Sequence, residues 1–248
     1  MTKTIIVFAP HPDDETFGCG GTIAKRVREG YEVLVVVLTD GRYAFLEELG
    51  IDSDPTPEEL KEIRKEELKR VVKILGVREE NLFFLDFEDG TLDKNEEKAE
   101  EKVMEILSKN SPVEVYFPYE KDCHPDHCAT NRIVRNSIKE LGLPTRMYKY
   151  SILRRYARVG PLIDALLNLF RRNMIRVDIS EFLSLKVEAA NELESMVSIT
   201  SSNQIKPVLC ARVVKKLLKR EETFFIDKKN MRKHQLRFQL WLRRRGKG

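Results

Sequence analysis

Residues 4–21 read TIIVFAPHPDDETFGCGG. Thr4–Ala9 is an almost unbroken apolar run, the pattern of a strand buried on both faces. Directly after Pro10, the five residues His11–Glu15 hold one imidazole and three carboxylates. The glycines of Gly18–Gly21 follow, and a helical pattern runs from about Gly18 to Glu29 and stops near Gly30. Strand, polar loop and helix in that order make a first βα unit.

The alternation continues along the chain. Val33–Leu38 reads as a second buried strand, Glu58–Leu75 as a long amphipathic helix stopped at Gly76, and Leu82–Leu85 as a short strand. Asn95–Lys109 is a charged helix ended by Ser111-Pro112, Val113–Phe117 a strand and His127–Leu141 a helix. Met147–Leu153 and Ile175–Ile179 have strand character, and Ser180–Ser195 and Val208–Lys219 helical character. Such a sequence predicts an α/β fold with a mostly parallel sheet covered by helices on both faces, followed by a less regular C-terminal portion. At 248 residues, 42% of them apolar, the chain suits one sizeable core. A single domain over residues 1–248 with a basic tail at 228–248 is the economical organisation.

In open α/β sheets, ligands sit beyond the carboxyl ends of the strands. Four polar stretches are expected at that edge: HPDDE, the turn Thr39–Arg42 with Asp40 and Arg42, the turn Phe87–Gly90 with Asp89, and Cys123–Cys128, which reads CHPDHC. Two His-Pro-Asp stretches far apart in sequence would meet there. His11 and Asp14, three apart, project to one side if the chain turns helical, and His127 comes in from the other loop. Two imidazoles and one carboxylate make the open, three-ligand pattern of a catalytic zinc site, the fourth position being left for water. Zinc lowers the pKa of such a water to about 7. Asp13 lies between these ligands in sequence, points elsewhere, and is free to act as general base. His124 is placed to stabilise an oxyanion as an imidazolium, with Asp126 holding its ring.

Simpler readings stand beside these. HPDDE alone could be a helix N-terminus whose carboxylates complement the dipole. Asp40 and Arg42 alone are turn chemistry, and Arg64 by position is a surface residue on a charged helix. Cys123, Cys128 and the neighbouring histidines could instead hold a structural zinc, but four ligands within six residues would leave HPDDE without a role. Gly18–Gly21 lets backbone pack closely beneath the loop; it does not match the dinucleotide-binding glycine pattern.

Charge is unevenly placed. Net charge is +4, yet residues 228–248 hold nine Lys/Arg and no Asp or Glu, so the rest carries 35 Lys/Arg against 40 Asp/Glu. The tail reads as a solvated end or as a contact for an anionic lipid surface. Arg154–Met174 has an apolar centre flanked by arginines and reads as a packed helix or lid, with an interfacial helix as the variant. Phe238 and Trp241 are few aromatics for a nucleic-acid site and no recognition motif accompanies them. The N-terminus lacks a signal-peptide pattern, the four cysteines form no obvious disulfide framework, and Val33–Leu38 is too short to span a bilayer. A reduced, cytoplasmic setting is expected, with peripheral membrane attachment as the variant.

The ordered set APHPDDETFGCGGTI, TDG, Arg64-x-x-Glu67-Leu68 with Leu75-Gly76, Asp89-Gly90 and HPDH resembles the PIG-L/LmbE-like zinc-dependent de-N-acetylases over roughly the first 135 residues. Asp178, Lys186 and Glu222-x-Phe224 are similar to later family features. Ser195-Met196 lacks a glutamine common there, and Asp122-Cys123 stand where some members carry an aromatic. The resemblance implies a Rossmann-like three-layer sandwich that removes the acetyl group from an N-acetylglucosamine-type sugar or glycoconjugate. It implies one Zn2+ per chain on His11, Asp14 and His127, with Asp13 as base and His124 as electrostatic catalyst. It also implies that Arg64 and Asp89 hold sugar hydroxyls; Asp40 and Arg42 line the same edge. Other divalent metals, a non-sugar amide, a lipid-linked sugar and self-association all remain compatible with the residues.

Overall fold

The computed structural model describes residues 2–122, 124–152 and 174–226. Within them seven strands form one sheet: β1 (Thr4–Ala9), β2 (Glu32–Thr39), β3 (Leu82–Phe87), β4 (Glu114–Pro118), β5 (Arg146–Tyr150), β6 (Met174–Asp178) and β7 (Glu221–Ile226). Their order is β3-β2-β1-β4-β5-β7-β6. The first five are mutually parallel; β7 runs antiparallel to both β5 and β6. From β1 the chain builds outward through β2 to β3, then returns to the other side of β1 as β4. The loops after β1 and β4 therefore leave adjacent strands at the point where the strand order reverses, which is where open α/β sheets open a ligand crevice.

The helices are α1 (Asp14–Arg28), α2 (Ala44–Leu49), α3 (Pro57–Ile74), α4 (Glu96–Asn110), α5 (Pro125–Glu140), α6 (Leu183–Glu192) and α7 (Ala211–Leu217), with a further turn at Glu194–Val197. They lie in two layers. Ile5, Val7 and Ala9 of β1 face a core shared with Phe17 and Ile23 of α1, Leu68 and Val72 of α3, and Ala189 and Ala190 of α6. Ile6 and Phe8 face the other core, with Val103 and Leu107 of α4 and Ile133 and Val134 of α5. Alternate residues of one strand thus feed both layers, as a parallel sheet buried on both faces requires. This is the expected α/β three-layer sandwich with a mostly parallel sheet.

Three local features depart from the sequence expectation. First, α1 begins at Asp14, not near Gly18, and is kinked at Cys19. Second, α2 and β7 were not anticipated. Third, Arg64 is buried, not on a solvated face. The sequence-predicted lid or interfacial segment at 154–174, apart from Met174, the basic tail at 228–248 and Cys123 lie outside the described residues. Among the described residues no helix is long and apolar enough to cross a membrane.

The C-terminal portion clamps α1 from behind. Lys186 Nζ meets Glu222 Oε1 at 2.6 Å and donates to the Phe17 carbonyl at 3.0 Å. Glu222 accepts the Gly21 and Thr22 amides at 3.0 and 2.8 Å. Gly21 permits this approach: a Cβ there would lie 2.3 Å from Ile179 Cδ1 and 2.8 Å from its Cβ. Gly21→Ala should therefore lower unfolding stability by about 1–3 kcal/mol through overpacking. A denaturant midpoint unchanged from wild type would contradict that.

Candidate active site

Asp14 opens α1, and its side chain turns back on the loop before it. Oδ2 accepts the His11 amide at 3.0 Å and lies 3.3 Å from His11 Nδ1. The same oxygen lies 3.2 Å from His127 Nε2, which arrives from α5. His11, Asp14 and His127 are all buried, and their ligand atoms lie within 4.8 Å of one another. Neighbouring ligand atoms of a tetrahedral site with bonds of about 2.0–2.1 Å are separated by about 3.3 Å. The two contacts to Asp14 have that span, and two imidazole nitrogens with one carboxylate oxygen is a donor set suited to zinc. The residues therefore fit a divalent ion.

The electrostatics are those of a preformed cation site. Burial disfavours a charged His127, yet Asp14 and Asp122 beside it hold its pKa up at about 9. Burial disfavours a charged Asp14 too, but His127 and His11 keep it well below the usual carboxylate range. His11 behaves like His127: burial opposes its charge, while Asp89, Asp126 and Asp14 together raise it well above the ordinary value. A metal cation would take over the role these protons play.

Asp13 precedes α1 with φ 155° and ψ −24°, a backbone conformation side chains rarely adopt. Its amide donates to Glu15 Oε2 at 3.1 Å, and Arg64 Nη2 lies 3.4 Å from its Oδ2. Burial, and the neighbouring Asp14 charge, push its carboxyl up to about 7 against the pull of Arg64 and the two histidines. A bound cation would draw that value back down.

His124 caps α5: its Nδ1 accepts the Asp126 amide at 3.2 Å, and its Nε2 lies 3.6 Å from Glu47 Oε2. A protonated Nδ1 could not accept that bond. Burial, and the adjacent His11 and His127, lower its pKa to about 4. The bond to the Asp126 amide and this downward shift both favour a neutral ring with its proton on Nε2 over the imidazolium expected from the sequence. The expected Asp126 support is corrected as well. The Asp126 carboxylate accepts the Gly90 and Leu92 amides at 2.8 and 3.1 Å and faces His11 Nε2 at 3.3 Å; its backbone, not its side chain, bonds His124.

Asp89 Oδ1 also faces His11 Nε2, at 3.0 Å, while Oδ2 accepts the Tyr43 amide at 3.1 Å. His11, Asp89 and His124 form a second cluster of potential ligands, sharing His11 with the first. Asp40 Oδ1 accepts the Arg42 and Asp89 amides, so Asp40 ties the turn after β2 to the turn after β3, and its Oδ2 meets Arg42 Nη2 at 2.7 Å. Arg64 donates to the Gly41 carbonyl at 2.7 Å and the Pro12 carbonyl at 2.8 Å. Gly41 has φ +65°, and a Cβ there would sit 2.2 Å from Arg64 Nη1. Arg64 thus braces the loops from beneath. Neither cluster includes a cysteine among the described residues, and Cys128 Sγ donates to the Asp122 carbonyl at 3.1 Å.

Two groups escaped the sequence reading. Asp122 bonds the far nitrogen of His127, and Glu47 of α2 stands at the rim beside His124. A carboxylate five residues before a candidate histidine ligand was a signal for Asp122; nothing in AFLEEL marked Glu47.

Against known proteins, the family profile for GlcNAc-PI de-N-acetylase, PIG-L, matches residues 6–138. Diacetylchitobiose deacetylase of Thermococcus kodakarensis is 34% identical over 147 residues, 57% of this chain and 51% of that protein. The probable N-acetyl-alpha-D-glucosaminyl L-malate deacetylase 2 of Bacillus cereus is 30% identical over 144 residues, 57% of this chain and 63% of that protein. The matches thus span only about half to three fifths of these relatives. The solved structure of N,N'-diacetylchitobiose deacetylase from Pyrococcus horikoshii with its inhibitor MPG superposes with a TM-score of 0.66 at 23% identity, covering 91% of this chain and 84% of that one. At that identity it speaks for the fold alone.

Proposed function

The chain belongs to the PIG-L family of de-N-acetylases, and on that premise we propose that it is a metal-dependent hydrolase. It removes the acetyl group from an N-acetylglucosamine-type sugar or glycoconjugate, releasing acetate and a free amine. The observation that carries this reading is the meeting of His11, Asp14 and His127 around one oxygen, with Asp13 beside them. The relatives named for diacetylchitobiose and for N-acetylglucosaminyl malate support the sugar class.

His11, Asp14 and His127 hold the ion. Zinc bound there would lower the pKa of a water to about 7 and polarise the amide carbonyl. Asp13 takes the proton from the attacking water, and its position comes from the Glu15 and Arg64 contacts. The water oxygen bonds the carbonyl carbon, the C–N bond breaks, and the proton held by Asp13 passes to the departing nitrogen. His124 donates its Nε2–H to the developing oxyanion as a neutral imidazole, the helix cap fixing that tautomer. Asp89 is proposed for sugar contact at the cleft edge. Arg64, Asp40 and Arg42 contribute by holding the loops that line it.

The test is acetate release from N-acetylglucosamine, N,N'-diacetylchitobiose, N-acetylglucosaminyl malate and a non-sugar N-acetyl amine, before and after chelation. Turnover of at least one sugar is expected, lost with chelator and restored by added zinc. Turnover of the non-sugar amide alone would overturn the substrate class, and activity indifferent to chelation would overturn the metal.

A further inference from the structure

Behind His127 lies a buried carboxylate that no part of this chemistry has used. Asp122 follows β4, and its Oδ2 meets His127 Nδ1 at 3.1 Å. Its Oδ1 accepts the Ser151 hydroxyl at 2.6 Å, and Oδ2 also accepts the Ile152 amide at 3.2 Å. Asp122 and His127 are each only 3% exposed. Oδ2 acts as an acceptor for the Ile152 amide, so the ring donates to it from Nδ1. That leaves the Nε2 lone pair aimed at Asp14 and the proposed ion. The Ser151 and Ile152 donors pin Asp122 itself, so the ring is held by an oxygen that is held in turn by the end of β5.

We propose that Asp122 is a positioning residue that sets the tautomer, orientation and basicity of His127 and thereby the metal affinity of the site. This rests on the metal reading above. Carboxylates behind histidine ligands typically change metal affinity by about 10–100-fold. Asn at 122 keeps an oxygen for the ring but loses the charge, so Asp122→Asn should fall near the lower bound and Asp122→Ala near the upper.

Zinc affinity of the full chain is measured by competition with a chromophoric chelator, and folding of the metal-free proteins by thermal unfolding. Asp122→Asn should bind zinc about 10-fold and Asp122→Ala about 100-fold more weakly than wild type. Ser151→Ala, which removes a bond to Asp122 but leaves the ring contact, should stay within about threefold of wild type, well inside that range. A folded Asp122→Asn that binds as tightly as wild type overturns the proposal. So does a Ser151→Ala as weak as Asp122→Asn, since the loss would then follow from loosening β5. Should neither Asp122 variant fold, 15N NMR of the zinc-loaded wild type decides. His127 should carry a proton on Nδ1 and metal on Nε2; the reverse overturns the proposal. A wild type that binds no divalent ion would sink the metal reading itself, whereas tight wild-type binding with an indifferent Asp122→Asn sinks only this inference.

Discussion

Asp13→Asn should lower kcat by about 10²–10⁴-fold, the usual contribution of a positioned general base, while zinc content stays near that of wild type. The substitution is nearly isosteric, and an amide oxygen can still meet Arg64 Nη2, so the strained turn before α1 need not change. What is lost is proton affinity. Asp13 is not among the three converging groups and should not affect metal retention. KM for the sugar should change little, because the carboxylate acts on the water. A variant that keeps wild-type turnover with zinc bound would remove Asp13 from its role.

His127→Ala and Asp14→Ala should behave differently from Asp13→Asn. Each deletes one of the three proposed ligands, so metal content should drop towards background. With the metal go the carbonyl polarisation and the lowered water pKa, effects worth several kcal/mol, so kcat/KM should fall on the order of 10³-fold or more. His127→Ala also leaves the buried Asp122 carboxylate without its ring donor, so its metal-free form should be less stable than wild type. Measuring zinc per chain beside turnover separates the two classes of variant. Full zinc in His127→Ala would mean that the ion sits elsewhere.

The parts of this site visible in the amino-acid sequence were those set by strand order. Once β1 and β4 are recognised as buried parallel strands, HPDDE and HPDH follow as loops at one edge, because a sheet that grows to both sides of β1 makes β1 and β4 neighbours. The three candidate ligands, the base and the two histidine stretches all came from that argument. The misses share a different cause: partners far away in sequence. Leu60, Arg64, Leu68 and Val71 recur at helical spacing on the buried side of α3, yet Arg64 sits in a run of charges and reads as solvated. Its burial depends on the carbonyls of Pro12 and Gly41, which no local pattern of α3 reveals. Similarly, β7 follows a basic stretch and is defined by its antiparallel pairing with β5 and β6. The charge state of His124 turns on a local feature. A histidine before proline at a helix start can cap with Nδ1, and that bond favours the neutral ring. Asp126, next to His124 in sequence, is drawn instead to the amides of the turn after β3.

Loops from β1 and β4 are proposed to share one divalent ion. Anomalous diffraction at the zinc edge, from crystals of the zinc-loaded full chain, tests it most directly. One peak is expected, bonded at about 2.0–2.1 Å to nitrogens of His11 and His127 and an oxygen of Asp14. An ordered site with no peak between those residues, or zinc held by other groups while His11 and His127 stand apart, would contradict it.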